Sequence, residues 1–431
     1  MQKFAQKYNV LIAGTGVAGL CCALHLPSEM RVLMLTKSAA EESDSFLAQG
    51  GICMLRGQED FAGYFEDTLR AGHYENDEAA VRQMIAESPS MIAELVEAGV
   101  RFARGENGEF RFTREGGHSR PRILFHDDVT GKEITSTLLA KVRTLPNVEI
   151  AENCTLVDVI ADANECCGGA VRDAAGELHA IYADFTLLAT GGVGGLYKNS
   201  TNYPHLTGDA LAIALKHGVA VEHLDYVQIH PTTLYSKRKG RRFLVSESVR
   251  GEGAVLLDKC GNRFCNELLP RDIVTGDIRV QMKRDGTDHV WLDMRPVGER
   301  VLREHFPTIC GQCLEEGYDP FREPIPVVPA QHYFMGGIKV DLDAQTSMKR
   351  LFAAGETACN GVHGKNRLAS NSLLESLVWA RRAAAVMAQN RDDVIQKMPH
   401  ADLSAYQDGE ALRAEYAKLV RDEAEREACY D

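Results

Sequence analysis

The chain has 431 residues, 45% hydrophobic and 25% charged, the make-up of an ordinary folded protein with room for two or three domains. Its net charge of −13 argues against a nucleic acid or an anionic membrane surface as partner, since either wants a basic face. A small anion stays open, because a few local arginines can hold one inside an acidic protein.

In chain order, the short apolar run Val10–Ala13 feeds Gly14-Thr15-Gly16-Val17-Ala18-Gly19, a helix is expected from Gly19 to Leu26, and Arg31–Thr36 reads as a second buried strand. Lys3 and Lys7 ahead of this uncharged stretch imitate a signal peptide. The glycine spacing and the lack of a nearby cleavage site favour strand–turn–helix, and a cytoplasmic protein is expected. Asp77 to Gly99 is helical in pattern, with Ser88-Pro89 predicted to divide it into two helices. Strand-like alternation over Glu149–Ile160 and Ala170–Leu188 suggests an antiparallel insert, and Phe185–Ala189 runs into Thr190-Gly191-Gly192. Prolines then concentrate between Glu222 and Tyr333, which reads as an inserted domain. Nucleotide-domain texture returns at Gly337, Leu351–Ala354 leads into Gly355-Glu356, and a long apolar helix follows from Ser372 to Met387. Beyond Asn390 the chain is polar, with one helix expected from about Gly409 to Cys429. The predicted fold is α/β: a Rossmann-like dinucleotide-binding domain (1–222 with 334–390), an inserted α+β capping domain (223–333) and a short helical C-terminal remnant (391–431).

Twelve cysteines are scattered along the chain. Cys310-Gly-Gln-Cys313 is the only C-x-x-C, and no second ligand pair accompanies it, so no metal is expected.

The G-x-G-x-x-G segment has a definite chemical purpose. Its glycines let the backbone turn tightly against a pyrophosphate, whose charge then sits on a helix N-terminus. The acidic residue that would end the second strand of an NAD site is replaced by Thr36-Lys37, with Lys37 placed to approach an adenosine or a phosphate. Ser45-Phe46-Leu47-Ala48-Gln49-Gly50-Gly51 offers paired glycines on which a flat ring can lie, and Glu356 offers a carboxylate for a polyol hydroxyl. Together these point to a flavin dinucleotide.

The same motifs carry a resemblance. Gly14–Gly19, Ala48-Gln49-Gly50-Gly51, Glu115-Gly116-Gly117-His118-Ser119, Gln228-Ile229-His230-Pro231, Arg250-Gly251-Glu252-Gly253, Pro270-Arg271-Asp272, His332-Tyr333 and Asn366 to Glu375 run in one order over roughly residues 8 to 390. The chain resembles the fumarate reductase/succinate dehydrogenase flavoprotein superfamily, and within it the L-aspartate oxidase branch. Members with covalent FAD carry histidine five residues before the glutamine of A-Q-G-G. Here that position is Asp44, so the resemblance implies non-covalent FAD. Fumarate and succinate enzymes resemble F-G-G-Q-S where this chain has Glu115 to Ser119, and Glu115 puts a carboxylate where an ammonium group is received.

What the resemblance implies for the site follows residue by residue. Arg367, His230, His332 and Ser246 bind the two carboxylates of a four-carbon substrate, with Gln228 adjacent; Ser246 stands where relatives have threonine. Arg271 stands where the family moves a proton during dicarboxylate reduction, and Glu115 helps place the amine; which group takes the amine proton is left open. Asp44, Leu156, Val157, Asp209, Ser372 and Leu373 join the glycine loop, Lys37 and Glu356 around FAD. The implied reaction is oxidation of L-aspartate to iminoaspartate, feeding quinolinate and NAD synthesis with quinolinate synthase as a partner. O₂ or fumarate would reoxidise the flavin. The rival expectation is a soluble fumarate reductase, and a catalytically silent flavin-binding homologue is a third.

Overall fold

The computed structural model describes residues 4–237 and 240–428. Strands β1 (Lys7–Ala13) and β2 (Val32–Thr36) are largely buried apolar runs joined by helix α1 (Val17–His25), the signature of a parallel sheet covered on both faces. Helix α2 (Glu78–Glu97) is continuous through Pro89, contrary to the predicted division. The reason is local. Pro89 has no N–H for the Ile85 carbonyl, and the Ser88 hydroxyl donates to that carbonyl instead, at 2.7 Å.

Strands β3 (Val148–Glu152), β4 (Thr155–Asp162), β5 (Glu165–Arg172) and β6 (Leu178–Leu188) complete most of the main sheet, in the order β3-β2-β1-β6-β5-β4. The expected antiparallel insert is therefore no separate sheet. Val148–Glu152 lies parallel to β2 at one edge, while β4 and β5 extend the opposite side. Strand β6 serves both regimes: its first half pairs antiparallel with β5 and its last residues run parallel to β1 and to a late strand. Alternation marks a half-buried strand but not its partner.

The chain continues through helix α3 (Asp209–Lys216), strand β7 (Val227–Leu234), helix α4 (Glu247–Gly251), strand β8 (Val255–Leu257), helix α5 (Arg271–Asp285), and strands β9 (Val290–Asp293) and β10 (Ile325–Phe334). The last four strands form an antiparallel sheet, β7-β10-β9-β8. It has its own core, which includes Leu234, Leu256, Ile278, Leu292 and Val327. Cys310 and Cys313 are buried there, and burial pushes their thiols up to about 11 and about 12. Neither is a thiolate at neutral pH.

Strand β11 (Leu351–Ala353) brings the chain back beside β6, and helix α6 (Ser372–Gln389) packs on α1. Helix α7 (Gly409–Ala428) buries Leu412, Tyr416 and Val420 in the first core, and the Tyr416 hydroxyl donates to the Val157 carbonyl at 2.7 Å. The tail is thus a packed layer of the nucleotide-binding unit. Among the described residues no helix is long and apolar enough to cross a membrane. Cys429 lies outside the described residues.

Candidate active site

One continuous cavity runs from the N-terminus of α1 to the face of the second sheet, lined at one end by Gly14–Ala18 and at the other by His230, Arg271, His332 and Arg367. Of the predicted cofactor residues, Gly14, Thr15, Gly16, Val17, Ala18, Lys37, Asp44, Ser45, Leu47, Ala48, Gln49, Gly50, Gly51, Leu156, Asp209, Glu356, Ser372 and Leu373 line it.

Three do not. Gly19 serves packing, since a Cβ there would overlap the Gly14 carbonyl oxygen. Val157 points its carbonyl at Tyr416, and Phe46 lies off the cavity wall in the short helix of Asp44–Leu47. A motif supplies contiguous positions, whereas a wall takes only the residues that face it.

Main chain builds the cofactor end. Gly14 sits at φ +120°, where a Cβ would collide with the Ala189 carbonyl, so only glycine brings the loop this close to the sheet. Gly16 caps α1 without a side chain; the Val17 N–H donates to Ser45 Oγ at 3.2 Å, and the N-terminus of the helix faces the cavity, where a phosphate would sit. Lys37 pairs with Asp209 at 2.5 Å on the cavity wall. Asp44 accepts the Tyr203 N–H at 3.0 Å through Oδ1, while its Oδ2 and the Gln49 Oε1 are buried without partners among the described residues. Burial pushes the Asp44 carboxyl up to about 7. Burial, helped by the nearby Asp44 charge, pushes Glu356 up to about 8. Unpartnered polar atoms on a deep wall are what a polar ligand completes. The residues present fit FAD.

Side chains from remote segments build the other end. Arg367 is buried with its guanidinium 4.4 Å from the Tyr333 ring centre; Nη1 donates to the Ser372 hydroxyl at 3.0 Å, and Nε has no partner among the described residues. Burial, with repulsion from Arg271, lowers its pKa to about 10, so it stays cationic at neutral pH. Arg271, at the start of α5, donates Nε to Glu247 at 2.6 Å and Nη1 to the Gln228 side-chain amide oxygen at 2.7 Å. Burial alone would raise the Glu247 carboxyl, but the guanidiniums of Arg271 and Arg250 outweigh it and hold Glu247 low. His230 and His332 meet edge-on, 5.1 Å between ring centres. Desolvation and the Arg271 charge depress both pKa values far below the ordinary histidine range, so both rings are neutral. His230 Nε2 has no partner among the described residues, whereas His332 Nδ1 lies 2.8 Å from the Thr201 hydroxyl.

Gln228, expected as a substrate ligand, does not line the cavity. Its amide nitrogen donates to Asn366 Oδ1 and the Arg367 carbonyl at 2.7 and 2.8 Å, and its oxygen receives Arg271. It braces the two arginines from behind. Strand alternation alone would put Gln228 and His230 on one face of β7, but a register shift between Gln228 and Ile229 breaks it.

Glu115 lies on the wall, buried, with Oε1 accepting from Ser248 Oγ at 2.7 Å and Oε2 from Ser370 Oγ at 2.6 Å. A Cβ on Gly50 would come within 2.8 Å of Oε1, so that glycine makes room for the carboxylate. Three residues on, His118 Nδ1 accepts from buried Arg122 at 3.0 Å, which makes Nε2 the protonated nitrogen, and it donates to the Ala369 carbonyl at 3.0 Å. The loop bearing Glu115 is thereby tied to the loop bearing Arg367 and Ser370.

Residues 9–373 match the family described as the FAD binding domain. The chain is 48% identical over 402 residues to an L-aspartate oxidase of Clostridium perfringens, covering 92% of this chain and 91% of that one. The chain belongs to the L-aspartate oxidase family. A second member, from Clostridium acetobutylicum, is 47% identical over 87% of both chains. Among solved structures, a chain of E. coli quinol fumarate reductase superposes with a TM-score of 0.85 at 30% identity, over 98% of this chain and 74% of that one. The protein is an FAD-dependent oxidoreductase of this family.

Sequence reasoning gave no role to Glu247, Ser248, Arg250, Tyr333 or Ser370. All lay inside or beside quoted motifs. A usable signal existed in Glu247 and Arg250, a carboxylate and a guanidinium three residues apart on a helix and therefore on one face.

Proposed function

We propose that this protein oxidises L-aspartate to iminoaspartate, the substrate losing a hydride from its α-carbon and a proton from its amine, as the first step towards quinolinate and NAD in the cytoplasm. The carrying observation is the placing of Glu115. A carboxylate on the wall of a dicarboxylate site repels a substrate that has only carboxylates to offer. An α-ammonium turns that repulsion into a charge-assisted hydrogen bond, and an ionised carboxylate keeps acceptor capacity beyond the two serine hydroxyls.

Bound along the glycine loop and the wall of Asp44, Gln49 and Glu356, FAD supplies the two-electron acceptor. This chain's own residues bind and orient the substrate. Arg367 holds one carboxylate through its fork, stiffened by Tyr333 and Ser372. Neutral His230 and His332, with Ser246, offer hydrogen bonds to carboxylate oxygens. Arg271 keeps Nη2 without a protein partner among the described residues, and its Nε rests on Glu247. We assign it proton transfer at the substrate as a relay: it passes its Nε proton to Glu247 as it takes the substrate's proton, so that the guanidinium ends as it began and Glu247 carries the proton. Gln228 is a positioning residue for both arginines. The second core, within 223–333, forms a cap over the reacting end. Asp44 cannot form a histidyl bond, so FAD is non-covalent. O₂ or fumarate serves as terminal acceptor, and quinolinate synthase is the expected consumer of the product.

The test is anaerobic addition of L-aspartate or succinate to the holoprotein. Loss of the yellow colour with aspartate and not with succinate supports the reading; bleaching by succinate alone would make the protein a fumarate/succinate enzyme.

A further inference from the structure

We infer that Ser248 is a specificity-determining positioning residue, which fixes the Glu115 carboxylate in the attitude that receives an α-ammonium. The inference rests on the reading of Glu115 given above. Ser248 does not line the cavity and touches the substrate region through Glu115 and Ser246. Its hydroxyl donates to Glu115 Oε1 at 2.7 Å, and the Ser246 hydroxyl donates to it at 3.2 Å. The Ser248 N–H in turn donates to Ser246 Oγ at 3.3 Å, the N-cap bond of α4. Two consequences follow. The Glu115 carboxylate is gripped from both sides, by Ser248 and by Ser370, which fixes its plane. Ser246 also faces both groups, because its one proton goes either to Ser248 or to a carboxylate oxygen brought against it. An α-ammonium is received by the Glu115 carboxylate that Ser248 and Ser370 hold in place.

Ser248→Ala removes one donor to a charged acceptor and leaves the peptide N–H cap of α4 in place. The expected result is a rise of about tenfold in KM for aspartate with a smaller change in kcat. The inhibition constant of succinate, which has both carboxylates and no ammonium, should move less than about twofold, within the reach of indirect effects. Ser248→Thr keeps the hydroxyl and should restore most of the loss. In a Glu115→Gln background, Ser248→Ala should add little. Equal weakening of aspartate and succinate, or full additivity with Glu115→Gln, would overturn the inference. A Glu115→Gln variant that itself weakens both ligands alike would instead overturn the reading of Glu115 beneath it.

Discussion

The two ends of the cavity are made differently. At the end proposed for the cofactor the main chain makes the wall: glycines admit backbone where a Cβ would collide, and Gly16 gives the N-terminus of α1 no side-chain cap of its own. At the end proposed for the substrate the wall is made of charged and polar side chains drawn from β7, α4, α5, β10 and two loops, buried together at high electrostatic cost. A backbone site tolerates no added atoms, whereas a side-chain site tolerates shape changes but no loss of charge or donor. Each end therefore fails in its own way.

The largest effect is expected at Gly14. Gly14→Ala places a methyl against the Ala189 carbonyl at a φ that alanine avoids, so the purified variant should retain no flavin. A variant that stays yellow would show that the loop yields and the contrast is overstated. Next comes Arg367→Lys, which keeps the charge and loses the fork. The expected loss is about 1.5–3 kcal/mol in kcat/KM for aspartate, approaching hundredfold, with flavin content unchanged. Near-normal kinetics would mean that Arg367 holds no carboxylate. Glu115→Gln should lower kcat/KM for aspartate by roughly tenfold while succinate inhibition holds steady. Parallel losses would assign Glu115 to loop support.

The smallest effect concerns pH. In the cofactor-free fold Asp44 and Glu356 sit at about 7 and about 8, against about 4 in an unfolded chain. Between those limits the folded state binds more protons than the unfolded one, so these carboxyls make stability fall as pH rises. The buried histidines work in the opposite direction below their ordinary range, which confines the test to about pH 6.5–8. Tm of the cofactor-free protein should fall across that window, and Glu356→Gln should flatten the fall. An unchanged slope in the variant would remove Glu356 as a cause.

The same contrast explains what was legible. The β1–α1–β2 unit, the glycine loop and the departure and return of the chain were all readable, since periodicity and turn chemistry are local properties. The single helix through Pro89 was not, because its continuity depends on the Ser88 hydroxyl reaching the Ile85 carbonyl. Nor was the union of β4 and β5 with the main sheet, which rests on β6 changing partners halfway along.

By itself the sequence determined the dinucleotide loop, the candidate arginines and histidines, and the carboxylate at position 115, because each is a residue type in a local pattern. Only the tertiary structure decided which of them share a wall. It turned Gln228 behind Arg271 and Arg367, set Glu247 beneath Arg271, and closed Ser248 and Ser370 on Glu115. Those contacts join positions from 24 to 255 residues apart. No local pattern encodes them, because hydrogen-bond partners at such separations are chosen by how the sheets and loops pack.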